Sequence, residues 1–152
     1  MQLLDFTEKD YTTLYDFMKP IWLETYAHIL SNEQILFLLE KYFALSHIKE
    51  FLKSGYVYRK IDNIGVLVYV ERETDVYIDK LYLLPCARGK GYPSFVFSTL
   101  KKERKKPLAL NVNQGNERAV QCYLKNGFHI LKEEKIDLGN GMYNVDYIMQ
   151  LL

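Results

Sequence analysis

Residues 81–93, LYLLPCARGKGYP, join an apolar strand to a helix through a basic turn. Such a turn presents free backbone N–H groups and the positive end of the helix dipole, and both attract phosphate oxygens. Gly89 and Gly91 let the backbone approach an anion closely, while Arg88 and Lys90 add positive charge. The turn therefore indicates a pyrophosphate site, although a plain capped turn has a similar composition.

Two other nucleotide-binding motifs are excluded. The chain contains no G-x-x-x-x-G-K-[ST] sequence, and Gly89-x-Gly91 is followed by Ser94 where a dinucleotide fingerprint has its third glycine. The strands predicted before the turn form an antiparallel meander rather than a βαβ unit. A P-loop or Rossmann enzyme is therefore not indicated.

A second segment, NVNQGNERAVQCYLKNGF at residues 111–128, predicts the end of a strand followed by a helix. Asn116 and Tyr123 are seven positions apart, which returns to the same helical face after two turns. They can therefore line one wall of a site. The structural alternative is that Asn116 caps the helix and Tyr123 is a half-buried core aromatic.

Hydrophobic periodicity predicts further strands and helices on both sides of these two segments. The predicted strands are residues 2–6, 56–61, 64–71, 76–84, 108–112, 129–138 and 142–151, with the last two joined by a Gly139-Asn140-Gly141 hairpin turn. The predicted helices are a stretch capped by Thr7 and Asp10 and broken or kinked at Pro20, a stretch that starts at Ser31, and residues 47–53, 94–104 and 116–125. The expected fold class is α/β (α+β): one domain over residues 1–152 with a mixed, mainly antiparallel central sheet of about seven strands and helices on both faces.

Composition excludes several classes of protein. With 152 residues, 49% of them apolar, the chain is long enough for one packed core, and its 13 tyrosines and 8 phenylalanines argue against disorder. A net charge of +1 gives no general attraction to nucleic acid or an anionic membrane, and the basic run at residues 101–106 is typical of a solvated helix end. The N-terminal residues lack a secretion signal, so we expect a cytoplasmic protein with neither a nucleic-acid nor a membrane partner. Cys86 and Cys122 do not form a CxxC pair and the three histidines are isolated, so no metal site is expected and nucleophilic cysteine chemistry is not indicated.

Together, the two quoted segments resemble the GNAT superfamily of acetyl-CoA-dependent N-acyltransferases. Residues 81–93 are similar to its L-Y-V-x-P strand end followed by R-x-x-G-x-G/A, and residues 111–128 to V-x-x-x-N-x-x-A-x-x-x-Y-x-K-x-G-F. The resemblance implies acetyl-CoA as the cofactor, with the pyrophosphate on the turn amides and the pantetheine arm along Lys80–Leu84. The implied cofactor contacts are Leu83, Arg88, Gly89, Lys90, Gly91, Tyr92, Pro93, Ser94, Asn116 and Tyr123.

The resemblance also implies two catalytic roles. In this family the strand that matches Tyr77–Leu84 splays from the strand that matches Leu108–Val112, and the thioester meets the amine in the wedge. The N–H of Leu83 would stabilise the oxyanion, since a fixed donor lowers the barrier to acyl transfer. Tyr123 would protonate the departing thiolate, because a tyrosine with the ordinary pKa of about 10 is still protonated at neutral pH.

The proton acceptor is less well defined, although an alkyl ammonium must lose a proton before it attacks. The family often carries a glutamate on the strand where this chain has Tyr77, and Asp79 lies two residues further on the same strand face. Asp79 is therefore a candidate base, with a solvated aspartate as the structural alternative. Glu24 is the other candidate, able to bind or deprotonate a cationic acceptor beside Trp22 and Tyr26, which are candidate pocket walls as well as core residues.

Pro93 stands where the family motif ends in Gly or Ala. Proline has no N–H, so one potential phosphate donor is missing. The first helical position, expected for Pro93, tolerates proline and leaves the fold unaffected. One lost charge-assisted hydrogen bond corresponds to about 1.5–3 kcal/mol, or about ten- to a hundredfold in affinity, unless Lys90 or the Ser94 hydroxyl compensates.

We therefore expect an N-acetyltransferase that moves an acetyl group from acetyl-CoA to a primary amine by direct attack through a tetrahedral intermediate. The expected acceptor is a small amine or polyamine, because IWLETY at residues 21–26 and IDLGNGMYNVDYIMQLL at residues 136–152 resemble a branch with polyamine-acetylating members. The alternatives are a protein N-terminal or lysine acetyltransferase and a CoA-binding regulatory module with little turnover. A homodimer is compatible with each of these.

Overall fold

The elements follow the order that the hydrophobic pattern predicts. A computed structural model describes residues 1–152. Its helices are α1 (Glu8–Thr25), α2 (Asn32–Phe43), α3 (Leu45–Lys53), α4 (Tyr92–Arg104) and α5 (Glu117–Lys125). Its strands are β1 (Leu3–Asp5), β2 (Val57–Ile61), β3 (Gly65–Glu71), β4 (Val76–Leu83), β5 (Leu108–Asn113), β6 (His129–Gly139) and β7 (Met142–Leu151). None of the helices combines the length and apolar character needed to cross a membrane.

The seven strands form one mixed sheet in the order β1-β2-β3-β4-β5-β7-β6. β4 and β5 pair in parallel, with the register running from Val76↔Leu108 to Ile78↔Leu110. The pairs β1–β2, β2–β3, β5–β7 and β6–β7 are antiparallel. The predicted fold class, a mainly antiparallel mixed sheet of about seven strands with helices, is confirmed.

The hairpin predicted at Gly139-Asn140-Gly141 joins β6 to β7. All three residues have positive φ angles, of 83°, 53° and 74°. Glycine adopts this region without a steric penalty, and asparagine tolerates it better than most residues. The local sequence therefore sets the turn, while irregularities between Ile130 and Lys132 and between Asp137 and Gly139 shift the β6–β7 register along the hairpin.

The chain divides into two compact units. The first comprises residues 1–69 and 80–90, and the second comprises residues 70–79 and 91–152. Each has its own buried apolar core. In the first the core includes Leu14, Met18, Ile21, Ile35, Leu39, Ile48, Ile61 and Leu67; in the second it includes Val76, Val96, Phe97, Leu100, Leu108, Leu110 and Met149. A single domain over residues 1–152 stays a prediction.

α1 begins as its sequence predicts and continues through Pro20, where a break or a kink was expected. Thr7 and Asp10 form a reciprocal capping box, in which the Asp10 carboxylate accepts from the Thr7 backbone N–H at 2.8 Å. Pro20 lies inside α1, which runs through it as one helix rather than as two pieces. Buried residues on both sides of Pro20, among them Met18 and Trp22, pack into the core, and this packing offsets the lost intrahelical bond.

Gly65, at the start of β3, lies against the end of β4. A Cβ atom at Gly65 would stand 2.7 Å from the Tyr82 carbonyl oxygen and 2.7 Å from Leu83 Cδ2. The Leu84 N–H donates to the Ile64 carbonyl at 2.8 Å, so this edge of β4 is tied to the residue before Gly65. The missing side chain is therefore what allows the close approach.

Asp10→Asn is expected to destabilise the fold by about 1 kcal/mol at neutral pH, the usual loss for a broken N-terminal cap. Burial opposes ionisation of Asp10, but the hydrogen bonds from Thr7 and the charge of Lys60 outweigh it and lower the pKa of Asp10 below 3.8. The stabilisation by the carboxylate is therefore present above pH 3.8 and is lost as the pH falls through the lowered pKa. Urea unfolding measures the free energy of unfolding of the variant and of the wild type at pH 7 and at pH 3. The difference between the two proteins should be smaller at pH 3. Glu8→Gln removes another first-turn carboxylate without breaking the box, and an equal loss in both variants would contradict the role of the cap.

Gly65→Ala is expected to destabilise the fold by about 1–3 kcal/mol, since the added methyl group overlaps the Tyr82 carbonyl oxygen and the Leu83 side chain. The sign of the effect is diagnostic, because alanine in an open strand position would instead stabilise the chain by about 0.5–1 kcal/mol. The urea midpoint measures it, and Gly65→Val should show a larger loss than Gly65→Ala. An unchanged or raised midpoint for Gly65→Ala would refute the close packing.

Candidate active site

The end of β4 fixes the direction of the Leu83 N–H, the group predicted to stabilise the oxyanion. The carbonyl of Tyr82 points at Gly65 on β3, and the peptide bond to Leu83 is trans. The Leu83 N–H is therefore directed away from β3, because the C=O and N–H of a trans peptide point in opposite directions. The hydrogen bond from the Leu84 N–H to the Ile64 carbonyl supports this direction of the Leu83 N–H, since successive N–H groups of a strand alternate between its two edges.

The turn after β4 is open at its backbone. Pro85–Ala87 form one 3-10 turn, Arg88 is extended, and Gly89 has a φ of 73°. A Cβ atom at Gly89 would meet nothing within 4 Å, and both Gly89 and Lys90 are exposed. The backbone of this turn is therefore accessible at Gly89 and Lys90, and a pyrophosphate site there stays a prediction.

The Arg88 side chain turns back toward helix α1. Its Nη1 forms a short ion pair with Glu24 Oε1, and its Nη2 donates to the Leu83 carbonyl at 3.5 Å. The Arg88 side chain is 22% exposed and that of Glu24 is 47% exposed. Two residues predicted for different roles, one for the cofactor and one for the acceptor, are thus brought together at the end of β4.

Helix α4 begins two residues earlier than predicted. Gly91, with a φ of 85°, is the N-cap, so Tyr92 is the first helical residue and Pro93 the second rather than the first. The Phe95 N–H donates to the Gly91 carbonyl at 3.1 Å and closes the first turn. The remaining backbone donors of this turn belong to Tyr92 and Ser94, since Pro93 has none. A helix N-terminus of this kind attracts anions.

An aromatic group on α1 and β4 contains one residue that the sequence analysis missed. The Trp22 ring lies 5.0 Å from that of Tyr26 and 5.9 Å from that of Tyr82, and the two tyrosine hydroxyls are hydrogen-bonded at 2.9 Å. Trp22 is only 6% exposed, and its indole N–H is buried without a hydrogen-bond partner. The missed residue is Tyr82, and the signal for it in the sequence is its position directly before Leu83. Trp22 is thus a buried core aromatic, while Tyr26 and Tyr82 are half-buried.

α5 holds the other two predicted contacts, two turns apart. Asn116 is the N-cap of α5 and accepts from the Ala119 N–H at 3.4 Å, so the capping alternative describes its present contact. Tyr123 is half-buried, with its ring 6.1 Å from that of Phe97 on α4 and 5.6 Å from that of Phe128. These contacts fix the position of the Tyr123 ring.

A buried carboxyl group on β7 was also missed by the sequence analysis. Asp146 is 8% exposed, and its Oδ1 is buried without a hydrogen-bond partner. Burial raises the pKa of Asp146, the hydrogen bond from the Asn111 side chain opposes that rise, and the charge of Glu134 adds to it. Nothing in the local sequence signals this burial. By contrast, Asp79, the predicted candidate, is half-buried on β4.

The cysteines and the basic run have ordinary surroundings. Cys86 is exposed, while Cys122 is half-buried, and its burial raises the pKa of its thiol.

In the basic run at residues 101–106, Lys106 donates to Glu71 at 3.0 Å and to the Arg72 carbonyl at 2.9 Å, and Lys101 donates to the Leu152 carbonyl. These cations stabilise the second unit internally.

Several solved acetyltransferases share this fold. The PaiA N-acetyltransferase of Thermoplasma acidophilum, in complex with coenzyme A, is 23% identical, with a TM-score of 0.75 and coverage of 98% of this chain and 96% of that chain. The ribosomal-protein-alanine N-acetyltransferase of Brucella melitensis is 18% identical, with a TM-score of 0.68 and coverage of 100% and 99%. A spermidine N-acetyltransferase chimera from Vibrio cholerae is 18% identical, with a TM-score of 0.65 and coverage of 99% and 94%. No curated protein matches the chain by sequence.

The family is established by sequence. The model of the acetyltransferase (GNAT) family matches residues 11–128, which contain β4, the glycine turn, α4, β5 and α5. This is most of the chain, and it includes both segments that carried the resemblance. The chain therefore belongs to the GNAT family of acetyltransferases, and its reaction is the transfer of an acetyl group from acetyl-CoA.

Proposed function

We propose that this enzyme acetylates the primary amine of a small cationic molecule of the polyamine type, by direct attack of the neutral amine on the thioester. The observation that carries the proposal is the fixed peptide between Tyr82 and Leu83, whose N–H is directed away from β3. A tetrahedral oxyanion needs a donor that is already oriented before the reaction begins. The Leu83 N–H meets this requirement because Gly65 fixes the peptide to which it belongs.

For the donor substrate, we propose that the glycine turn and the start of α4 bind the pyrophosphate. Gly89 leaves the backbone open, Lys90 is exposed, and Ser94 offers both an N–H and an exposed hydroxyl in the first helical turn. The residues present therefore fit an anion at this position. Arg88 is assigned to the same phosphate, in exchange for its ion pair with Glu24.

Tyr123 is proposed to donate the proton that the departing thiolate requires. Its ring is held by Phe97 and Phe128, so the hydroxyl is carried on a packed support rather than on a mobile side chain. A positioned acid of this kind contributes about 10²–10⁴-fold to a rate. Asn116, at the start of the same helix, is proposed to contact the cofactor arm.

For the acceptor, we propose a site formed by Glu24, Tyr26 and Tyr82, with the buried Trp22 ring packed behind the two tyrosines. Aromatic faces attract cations and the Glu24 carboxylate pairs with them, so the group favours an amine that carries further positive charge. The hydrogen-bonded hydroxyls of Tyr26 and Tyr82 supply polar contacts beside the rings. The fold shared with a spermidine N-acetyltransferase chimera agrees with this class of acceptor.

A protein amine is the second candidate, because the chain shares its fold equally with a ribosomal-protein-alanine N-acetyltransferase. A thiol-release assay with acetyl-CoA separates the two classes when it compares spermidine, a peptide with an N-terminal alanine and a peptide with an internal lysine. We expect the largest kcat/KM for spermidine. A larger value for either peptide would replace the small-amine proposal while leaving acetyl transfer intact.

Tyr123→Phe is expected to lower kcat by about 10²-fold or more with the affinity for acetyl-CoA unchanged, since only the acid is removed. Steady-state thiol release and calorimetric titration measure the two quantities. Tyr143→Phe is the matched control, because Tyr143 is 54% exposed on β7 and should keep wild-type turnover. Equal turnover in Tyr123→Phe and wild type would exclude Tyr123 as the acid.

Pro93→Ala is expected to tighten acetyl-CoA binding by about ten- to a hundredfold, because it restores a backbone donor in the first turn of α4. Calorimetric titration with acetyl-CoA measures the change. Pro93→Gly restores the same N–H at a lower helix propensity, so both variants should gain affinity. If neither gains, the missing N–H does not limit binding.

A further inference from the structure

The first unit contains a cavity of about 190 Å³ between helix α1 and the β2–β3 hairpin. Both elements contribute to its walls, and every lining residue belongs to this unit. The lining includes Phe6, Asp10, Leu14, Lys60, Asp62 and Val66. None of its residues belongs to the glycine turn or to the proposed acceptor group of Glu24, Tyr26 and Tyr82. The cavity is therefore separate from the groups assigned to acetyl transfer.

One wall of the cavity is apolar and closely packed. Leu14 and Val66 are buried core residues. The Phe6 ring lies 5.1 Å from that of Tyr11 and 5.7 Å from that of Tyr58. Because these side chains are already held by their neighbours, little ordering of the wall is needed when a ligand binds. An apolar cavity of about 150 Å³ holds a benzene molecule, so this one has room for a six-membered ring or a short alkyl chain.

The polar wall has an excess of negative charge. Its charged side chains are the carboxylates of Asp10 and Asp62 and the ammonium group of Lys60, a formal sum of −1. Asp10 accepts both hydrogen bonds from Thr7 on Oδ2, at 2.8 and 3.0 Å, and its Oδ1 lies 3.5 Å from Lys60 Nζ. Lys60 is the single cation of the lining. A second cation is therefore attracted to the cavity and an anion is repelled.

The N-terminal segment holds Asp62 in place. The Gln2 N–H donates to Asp62 Oδ1 at 2.9 Å, and the Asp62 N–H donates to the Gln2 carbonyl at 3.0 Å. Asp62 has a φ of 45°, a conformation that aspartate and asparagine tolerate better than most residues. The carboxylate is thus positioned before a ligand arrives. Asparagine can replace it with the same backbone conformation and the same acceptor for Gln2, so the charge can be removed alone.

We propose that this cavity binds a small organic cation with an apolar body, of the arylalkylammonium or alkylammonium class. The apolar body packs against Phe6, Leu14 and Val66, and the ammonium group lies beside Asp10 and Asp62. A charge that leaves water needs an opposite charge beside it, and the two carboxylates meet that need. The aromatic face of Phe6 adds a further attraction for a cation. The proposal is independent of the acceptor proposed above, because the two sites share no residue.

The test is an NMR titration of the wild-type protein with benzylammonium, benzyl alcohol and benzoate, in the absence of acetyl-CoA at pH 7 and low salt. The three probes are similar in size and differ in charge. The methyl groups of Leu14 and Val66 report on the cavity. We expect saturable shifts of these methyl groups with benzylammonium, weaker binding of benzyl alcohol and the weakest binding of benzoate.

Two charge variants should change the Kd of benzylammonium in opposite directions. Asp62→Asn should weaken binding and Lys60→Met should tighten it, each by about two- to fivefold, as for a partly exposed charge pair. Asp16→Asn is the matched control, because Asp16 is an exposed carboxylate on α1 outside the cavity. It should leave the Kd unchanged. Glu24→Gln, in the acceptor group, should leave it unchanged as well.

Three results would overturn the proposal. The first is the absence of a saturable shift at Leu14 and Val66 with benzylammonium. The second is an affinity for benzyl alcohol or benzoate that equals or exceeds that for benzylammonium. The third is a Kd that responds to Glu24→Gln but not to Asp62→Asn and Lys60→Met, which would place the cation at the acceptor group instead. None of them bears on acetyl transfer, which the thiol-release assay tests separately.

Discussion

The peptide between Tyr82 and Leu83 rests against Gly65 with no room for a Cβ atom, and the direction of the Leu83 N–H depends on this contact. Glycine inside a strand usually weakens it, since there is no side chain to pack. Here the absence of that side chain lets β4 approach β3, and the planar trans peptide transmits the constraint to the next N–H. The turn that follows, and the Arg88 side chain that returns to the Leu83 carbonyl, both build on this fixed strand end.

Charge at the strand end is balanced within the first unit. Arg88 is paired with Glu24 across 64 positions of sequence, so the cation assigned to the cofactor meets a carboxylate assigned to the acceptor. Pairs that are partly exposed contribute about 0–1 kcal/mol, because water screens them. The pairing therefore does not prevent Arg88 from meeting a phosphate. It places Glu24, proposed for the acceptor, against Arg88, proposed for the cofactor.

Elements whose signals are local were predicted closely. The capping boxes of Thr7 with Asp10 and of Ser31 with Gln34 start α1 and α2, and the Gly-Asn-Gly turn joins the last two strands. Each of these depends on residues three or fewer positions apart, so the sequence contains the whole interaction. Pro20 predicts a break or a kink from its local cost, and the structure excludes the break, because the burial of its neighbours keeps α1 in one piece.

Local sequence patterns predict the order of strands and helices, the glycine turn after β4, and the placement of Asn116 and Tyr123 on one helix. Each is written in a periodicity or a short motif, and these set local backbone geometry. Three other features arise from packing between distant parts of the chain: the contact of Gly65 with Tyr82 and Leu83, the pairing of Arg88 with Glu24, and the burial of Asp146 beside Asn111. These contacts join residues 17 to 64 positions apart, and their partners are set by strand register and helix packing, which no local pattern specifies.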